Sequence, residues 1–231
     1  MTSTNDIAAV LAEDGAAEGC VVAADAQSAG RGRHGRSWVS AAGAGLYVSV
    51  VLRPVQQAVP ALTIAAGVAV AEGIQAATGL RLDLKWPNDV YAGERKVAGV
   101  LAEAGTSRST VEYVVLGFGI NVRPAAYPPA IAARATSLGG ELGREVDRGL
   151  LLAECLSALA QRYAHLQTGR HDVVMNAWRA RAASTLGRRV RWDAAGTTLE
   201  GVAENIDESG ALMVRTPSGI VTITGGEVVW M

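Results

Sequence analysis

Residues 30 to 36 read Gly-Arg-Gly-Arg-His-Gly-Arg, three arginines carried among three glycines. A guanidinium offers a planar fork of donors suited to carboxylate or phosphate, and glycine lets the backbone come close to a ligand. The heptad is suited to closing over an anion. A second cluster, Lys85-Trp86-Pro87-Asn88-Asp89, is followed by Lys96 across a hairpin. Cations, an amide and a carboxylate on neighbouring strand ends fit a site that handles a nucleotide and a carboxylate. The same Trp, Pro and Asn also fit a plain turn over a core tryptophan. A third piece, Gly117-Phe118-Gly119-Ile120-Asn121-Val122, ends in an asparagine able to bond a base, ribose or phosphate, or simply to close a glycine-rich turn. Gly30, Gly32 and Gly35 satisfy GxGxxG, but no helix-forming run follows them, and GxxxxGK[ST] does not occur. A nucleotide site in this chain is therefore of another kind.

The heptad lies between two apolar strand-like runs, Cys20 to Ala24 and Leu46 to Arg53, so a folded scaffold presents it from both sides. Ordering a backbone residue costs about 1–2 kcal/mol, so a loop this rich in glycine is expected to order on ligand binding. Equal rates of limited proteolysis with and without ligand would count against that. Before the first strand, Ser3-Thr4-Asn5-Asp6 provides cap residues for a helix whose apolar stripe is Ile7, Val10 and Leu11, closing near Gly15. Pro60 opens an alanine-rich helix to about Thr78, buried through Leu62, Ala65, Ala66, Ala69, Val70 and Ile74. A meander of strands spans Arg81 to Val122, turning at Ala92-Gly93-Glu94-Arg95. Residues 123 to 148 read as irregular, followed by helices from Asp147 to Gln167 and His171 to Ala183. Beyond them, short alternating runs broken at Ala195-Gly196, Ser209-Gly210, Pro217-Ser218-Gly219 and Gly225-Gly226 suit a small barrel of about five strands. The pattern predicts an α+β protein with a mostly antiparallel, mixed sheet flanked by helices over residues 1–184, and a small β-barrel over 185–231.

Across 231 residues, 49% are hydrophobic, 19% are charged and the net charge is -1, so the arginine cluster is a local feature of a near-neutral globular chain. A protein gripping long nucleic acid shows a broader basic excess. Cys20 and Cys155 sit in apolar patterns without metal-ligand spacing and read as buried free thiols of a reducing cytosol. No export signal is visible, and Glu72 and Gln75 interrupt the apolar run from Ala58 to Leu80, which reads as a core helix. No metal-ligand set and no membrane segment are expected.

Ser3-Thr4-Asn5, Gln27 with the heptad and Ser37-Trp38, Lys85 to Asp89, Lys96-Val97-Ala98-Gly99-Val100-Leu101-Ala102-Glu103 and Gly117 to Val122 occur in the order and approximate spacing of biotin protein ligases, which this chain resembles. The resemblance implies a class II synthetase-like catalytic fold with a C-terminal SH3-like domain, and a cytoplasmic enzyme. It also implies a two-step reaction: biotin and ATP give biotinyl-5'-adenylate and pyrophosphate, and the biotinyl group then passes to one lysine of a carboxylase's biotin carboxyl carrier domain. Mg2+ is implied by ATP. Residue by residue, the resemblance places Ser3, Thr4, Asn5 and Gln27 around the biotin head. Arg31, Gly32, Arg33 and Lys96 fall near its carboxylate, Trp38 over adenine, Asn88 and Asn121 at the adenylate, and Gly30 and Arg36 in the closing loop. Arg33 and Lys96 would be catalytic, with Asp89 assisting proton loss from the acceptor amine or stabilising its turn.

Members of that family usually carry a strand, and often a helix, ahead of the Ser-Thr-Asn motif, whereas this chain opens almost on it. With no helix-turn-helix segment, ligase activity without operator binding is expected, and a salt-resistant, sequence-specific DNA shift would contradict it. A lipoate-protein ligase is the nearest rival, disfavoured because lipoate has no ureido head. A nucleic-acid module would need aromatics interleaved with the basic residues, yet aromatics make up 5% of the chain. A ligand sensor without turnover is opposed by Lys96 and the Lys85 to Asp89 cluster. Monomer and homodimer remain equally open.

Overall fold

The computed structural model describes residues 1–108, 110–125, 127–194 and 197–231, so the turn expected at Ala195-Gly196 lies outside the described residues. Ser3 caps helix α1 (Thr4–Glu13) with its hydroxyl accepting the Asn5 N–H at 3.2 Å. Six strands follow: β1 (Val21–Ala24), β2 (Gly45–Leu52), β3 (Asp83–Lys85), β4 (Asp89–Ala92), β5 (Arg95–Ser107) and β6 (Thr110–Asn121). They form one sheet in the order β1-β2-β6-β5-β4-β3, with every pairing antiparallel. Among the described residues the one parallel link is an isolated bridge between Lys96 and Ala135.

Helix α2 (Leu62–Thr78) lies across one face of that sheet and α1 across the other. On the far side α2 meets α5 (Arg148–Gln167) and α6 (His171–Arg179). Covered on both sides, it is buried almost all round, which explains why the stretch Gln56–Thr78 is long and apolar enough to cross a membrane by length and composition. β2 is likewise buried at every position, because it lies inside the sheet with a helix on each face.

Several local expectations are corrected. Ile7, Val10 and Leu11 are exposed; α1 turns Thr4, Asn5, Ala8 and Ala12 inward, because the polar pair at its start bonds beneath the sheet and rotates the small alanines onto it. Pro60 sits in a 3-10 turn, Gln56–Ala61, and α2 begins after it. Residues 123 to 148 hold two short helices, α3 (Pro129–Ala132) and α4 (Leu138–Leu142). α6 stops at Arg179, and Cys20 is only partly buried.

The C-terminal strands are β7 (Arg189–Ala194), β8 (Thr197–Ile206), β9 (Leu212–Thr216), β10 (Gly219–Ile223) and β11 (Val228–Trp230). They pair antiparallel in the order β10-β9-β8-β7-β11, and among the described residues the end strands β10 and β11 do not pair with each other. β11 was not anticipated by the pattern. Trp86 bolts this sheet to the first one: its ring is 3% exposed and its Nε1 donates to the Gly210 carbonyl at 2.8 Å. Thr185 strengthens the joint, accepting the Trp86 N–H at 3.3 Å and donating to the Leu84 carbonyl at 2.9 Å.

Candidate active site

A cavity of about 580 Å³ opens over the middle of the six-stranded sheet. Its wall includes Ser3, Thr4, Asn5, Gln27, Arg31, Gly32, Arg33, Arg36, Trp38, Asn88, Asp89, Lys96 and Asn121. Gly30 is the exception among the expected residues. Its carbonyl accepts the Trp38 N–H at 2.8 Å at the base of the loop, and it borders a smaller cavity of about 300 Å³ instead.

One end of the large cavity is polar and nearly uncharged. The start of α1 puts Ser3, Thr4 and Asn5 there, all buried. Gln27 accepts from the Thr4 N–H at 2.7 Å and from its hydroxyl at 3.1 Å, and its own amide donates to Ser40 at 2.8 Å. Gly117 makes this close packing possible, since a Cβ there would lie 2.1 Å from Asn5 Oδ1.

The other end is cationic. The heptad folds as a tight loop, with Gly32 N donating to the Arg36 carbonyl at 2.7 Å and a bridge joining Arg31 to Ser37. Arg33 reaches inward and donates to the Asn88 side-chain Oδ1 at 3.1 Å, and burial holds its pKa below the usual guanidinium range. Lys96 approaches from β5, 2.5 Å from an Asp89 carboxylate oxygen and 5.2 Å from the centre of the Trp38 ring. Its backbone is fixed on both sides, Lys96 N to the Arg134 carbonyl at 2.8 Å and Thr136 N to the Lys96 carbonyl at 2.9 Å. The Trp38 indole packs against Gly99 of β5 and Gly119 of β6, its Nε1 buried without a hydrogen-bond partner among the described residues; a Cβ on Gly119 would come within 2.5 Å of that nitrogen.

Two expected residues are engaged with the protein itself. Arg31 is ion-paired with Asp6 at 2.6 Å and Glu103 at 2.7 Å, so its guanidinium ties the loop to α1 and β5. Asn121 is 8% exposed and its amide donates to the Thr136 carbonyl at 2.9 Å, leaving its oxygen and its second N–H for a ligand.

The sequence reading named no residue on the C-terminal side of this cavity. The segment from Gly226 to Trp230 closes over the cationic end: the Gly226 carbonyl accepts from Arg33 at 3.2 Å and Glu227 pairs with Arg36. That pairing holds the Glu227 carboxyl below its ordinary range. Lys85 is held between two rings, 5.0 Å from the Tyr91 centroid and 5.5 Å from that of Trp230. Burial lowers the Lys85 pKa and pushes Tyr91 up to about 12. No local pattern signals these contacts, because the Arg36 and Glu227 positions are 191 residues apart in sequence.

A cavity with a hydrogen-bonding pocket at one end and fixed cations at the other is built for a ligand with a polar head and an anionic tail. Residues 1–121 match the biotin/lipoate A/B protein ligase family, and residues 185–231 match the biotin protein ligase C terminal domain. The chain belongs to the biotin/lipoate A/B protein ligase family, and within it to the biotin protein ligases. It is 40% identical to the biotin--[acetyl-CoA-carboxylase] ligase of Paracoccus denitrificans, over 98% of this chain and 96% of that one. It is 36% identical to the bifunctional ligase/repressor BirA of Bacillus subtilis, over 99% of this chain and 71% of that one. The biotin protein ligase of Aquifex aeolicus in complex with biotin and ATP superposes with a TM-score of 0.85 at 31% identity, covering 100% of this chain and 95% of that chain.

Proposed function

We propose that this chain is an ATP-dependent biotin protein ligase that activates biotin as biotinyl-5'-AMP and transfers the biotinyl group to one lysine of a carboxylase's carrier domain. The observation that carries this reading is the convergence of Arg33 and Lys96 beside Asn88 and Trp38, in the same cavity as the Ser3-Thr4-Asn5 pocket. Biotin's carboxylate is ionised at neutral pH, so its attack on the α-phosphate needs no general base. It needs cations that offset the repulsion of two anions, and Arg33 and Lys96 supply them where charge develops on the phosphorus centre. Arg31, committed to Asp6 and Glu103, serves as the anchor of the loop rather than as the partner of the carboxylate.

The carboxylate oxygen bonds to the α-phosphorus and pyrophosphate leaves. The acceptor amine, neutral when it attacks, then bonds to the acyl carbon and AMP leaves. Asp89, beside Lys96, stands where it can take the amine's proton. Where Mg2+ is bound with ATP, Asp89 and Glu227, the carboxylates that line this end among the described residues, could share the ion, as suits a cation that keeps most of its ligands from phosphate and water. It would supply charge neutralisation on the phosphates. Both cysteines are free thiols, which fits a cytoplasmic setting.

The test supplies biotin, Mg-ATP and a purified carrier domain, and follows pyrophosphate release separately from lysine biotinylation. Both are expected; absence of both overturns the reading. Arg33→Gly is expected to give an enzyme that still forms the adenylate but loses it to solvent, because the loop's inward cation and its bond to Gly226 are gone. Biotin should then appear on lysines of bystander proteins, read by blotting a mixture of carrier and albumin. Labelling confined to the carrier would remove Arg33 from that role.

A further inference from the structure

Glu103 lies outside the large cavity, yet it bonds directly to two residues of the cavity wall, Asn5 and Arg31. Asn5 Nδ2 donates to Glu103 Oε2 at 2.7 Å, while Arg31 holds the other carboxylate oxygen at 2.7 Å. The Asn5 amide is thereby oriented with Oδ1 towards the fully buried Ser49, whose Oγ lies 2.6 Å away. Ser49 Oγ is also 2.8 Å from Thr4 Oγ1. A serine hydroxyl has one proton, so it serves one of these two oxygens.

We propose that Glu103 sets the donor and acceptor polarity of the head-group pocket and so selects cyclic ureas, acting as a positioning residue through Asn5 and Ser49 on Thr4. The inference rests on the ligase reading above. An amide oxygen can only accept, so the Ser49 proton is directed to Asn5. Thr4 turns its own proton to protein, with Gln27 Oε1 in reach at 3.1 Å. The Thr4 hydroxyl oxygen then lines the cavity as an acceptor that no protein donor fills. A cyclic urea can donate one of its N–H groups to such an acceptor, whereas a dithiolane has none to donate, and a pocket built to bond an N–H rejects a head lacking it. Were Asn5 turned over, its NH2 would donate to Ser49, and the serine proton would swing to Thr4 and fill one of its two lone pairs, leaving that oxygen a poorer acceptor for the ligand. A carboxylate at position 103 forbids that arrangement because it cannot donate. Glutamine can.

The test is a double-mutant cycle on the full chain, with the biotin Kd measured by calorimetry without nucleotide. Glu103→Gln is expected to weaken biotin about 10-fold or more in the otherwise wild-type protein. In a Ser49→Ala background no serine proton remains to be misdirected, and the same change should cost less than about two-fold. The cycle is repeated on Thr4→Val, where Glu103→Gln should again be silent, and melting curves establish that each variant is folded. Equal losses in all backgrounds overturn the proposal, since a purely structural role of Glu103 would add to the others. A wild-type chain that binds no biotin overturns the ligase reading as well; a wild type that binds biotin with an additive cycle overturns the polarity alone.

Discussion

Lys96→Ala is expected to lower the rate of pyrophosphate release by about 10²–10³-fold, the usual loss when one fixed donor to a developing charge is removed. Lysine biotinylation should fall with it. The Lys96 ammonium is held by the Asp89 ion pair at 2.5 Å and stands above the Trp38 ring, while the flanking backbone bonds to Arg134 and Thr136 fix where the side chain starts. Truncation removes the cation and also leaves the Asp89 carboxylate uncompensated beside a reaction between two anions. Both changes raise the barrier. The side chain is 28% exposed, so folding should be little affected and the melting curve should stay near that of wild type. Biotin binding without ATP reports on the head-group pocket and should weaken far less than turnover. Pyrophosphate release within about two-fold of wild type would remove Lys96 from the chemistry.

Trp86→Ala is expected to cost about 3–5 kcal/mol of stability, the range for deleting a large buried aromatic side chain. For a chain of this size that is a drop of about 6–20 °C in melting temperature. The cost has two parts. The ring is buried between α2, the sheet and the C-terminal strands, and its Nε1–H satisfies the Gly210 carbonyl at 2.8 Å. Trp86→Phe keeps most of the bulk and loses only the bond, so a smaller loss of about 1–3 kcal/mol separates the parts. The alanine variant should also raise the KM for ATP, because the loosened joint carries the Gly226 to Trp230 segment away from Arg33, Arg36 and Lys85. A melt within about 2 °C of wild type would mean that the joint is held elsewhere. An unchanged KM for ATP would mean that the C-terminal segment covers the cavity without contributing to binding.

These two residues also mark how far the sequence can be read. Lys96 was legible as a site residue because a charged side chain facing a Gly/Arg loop and a strand-end Asn-Asp pair is a chemical pattern visible in one dimension. The Lys85 to Asp89 cluster admitted two readings, a nucleotide and carboxylate site or a plain turn over a core tryptophan, and the fold combines them: Trp86 is buried at 3% exposure while Asn88 and Asp89, two and three residues on, line the cavity. Strand and helix positions were legible wherever the apolar period was clear, as in β2, β6, α2 and α5. The apolar period of α1 misled. Ile7, Val10 and Leu11 do share a face, but the helix buries the opposite one to bring Thr4 and Asn5 to Ser49 and Gln27.

Residue chemistry and short-range spacing were determined by the sequence itself: an anion-closing loop, strand ends carrying cations and amides, a core helix, and a β-rich C-terminus. Tertiary structure alone decided which face of α1 turns inward, that Arg31 is engaged by Asp6 and Glu103, that Glu227 and Trp230 close the cavity, and that Glu103 orients Asn5. The physical reason is one of range. Periodicity and side-chain type act over a few residues, whereas an ion pair or hydrogen bond between residues 25 to 191 positions apart depends on how whole sheets pack, and that packing is a sum over many small apolar contacts with no local signature.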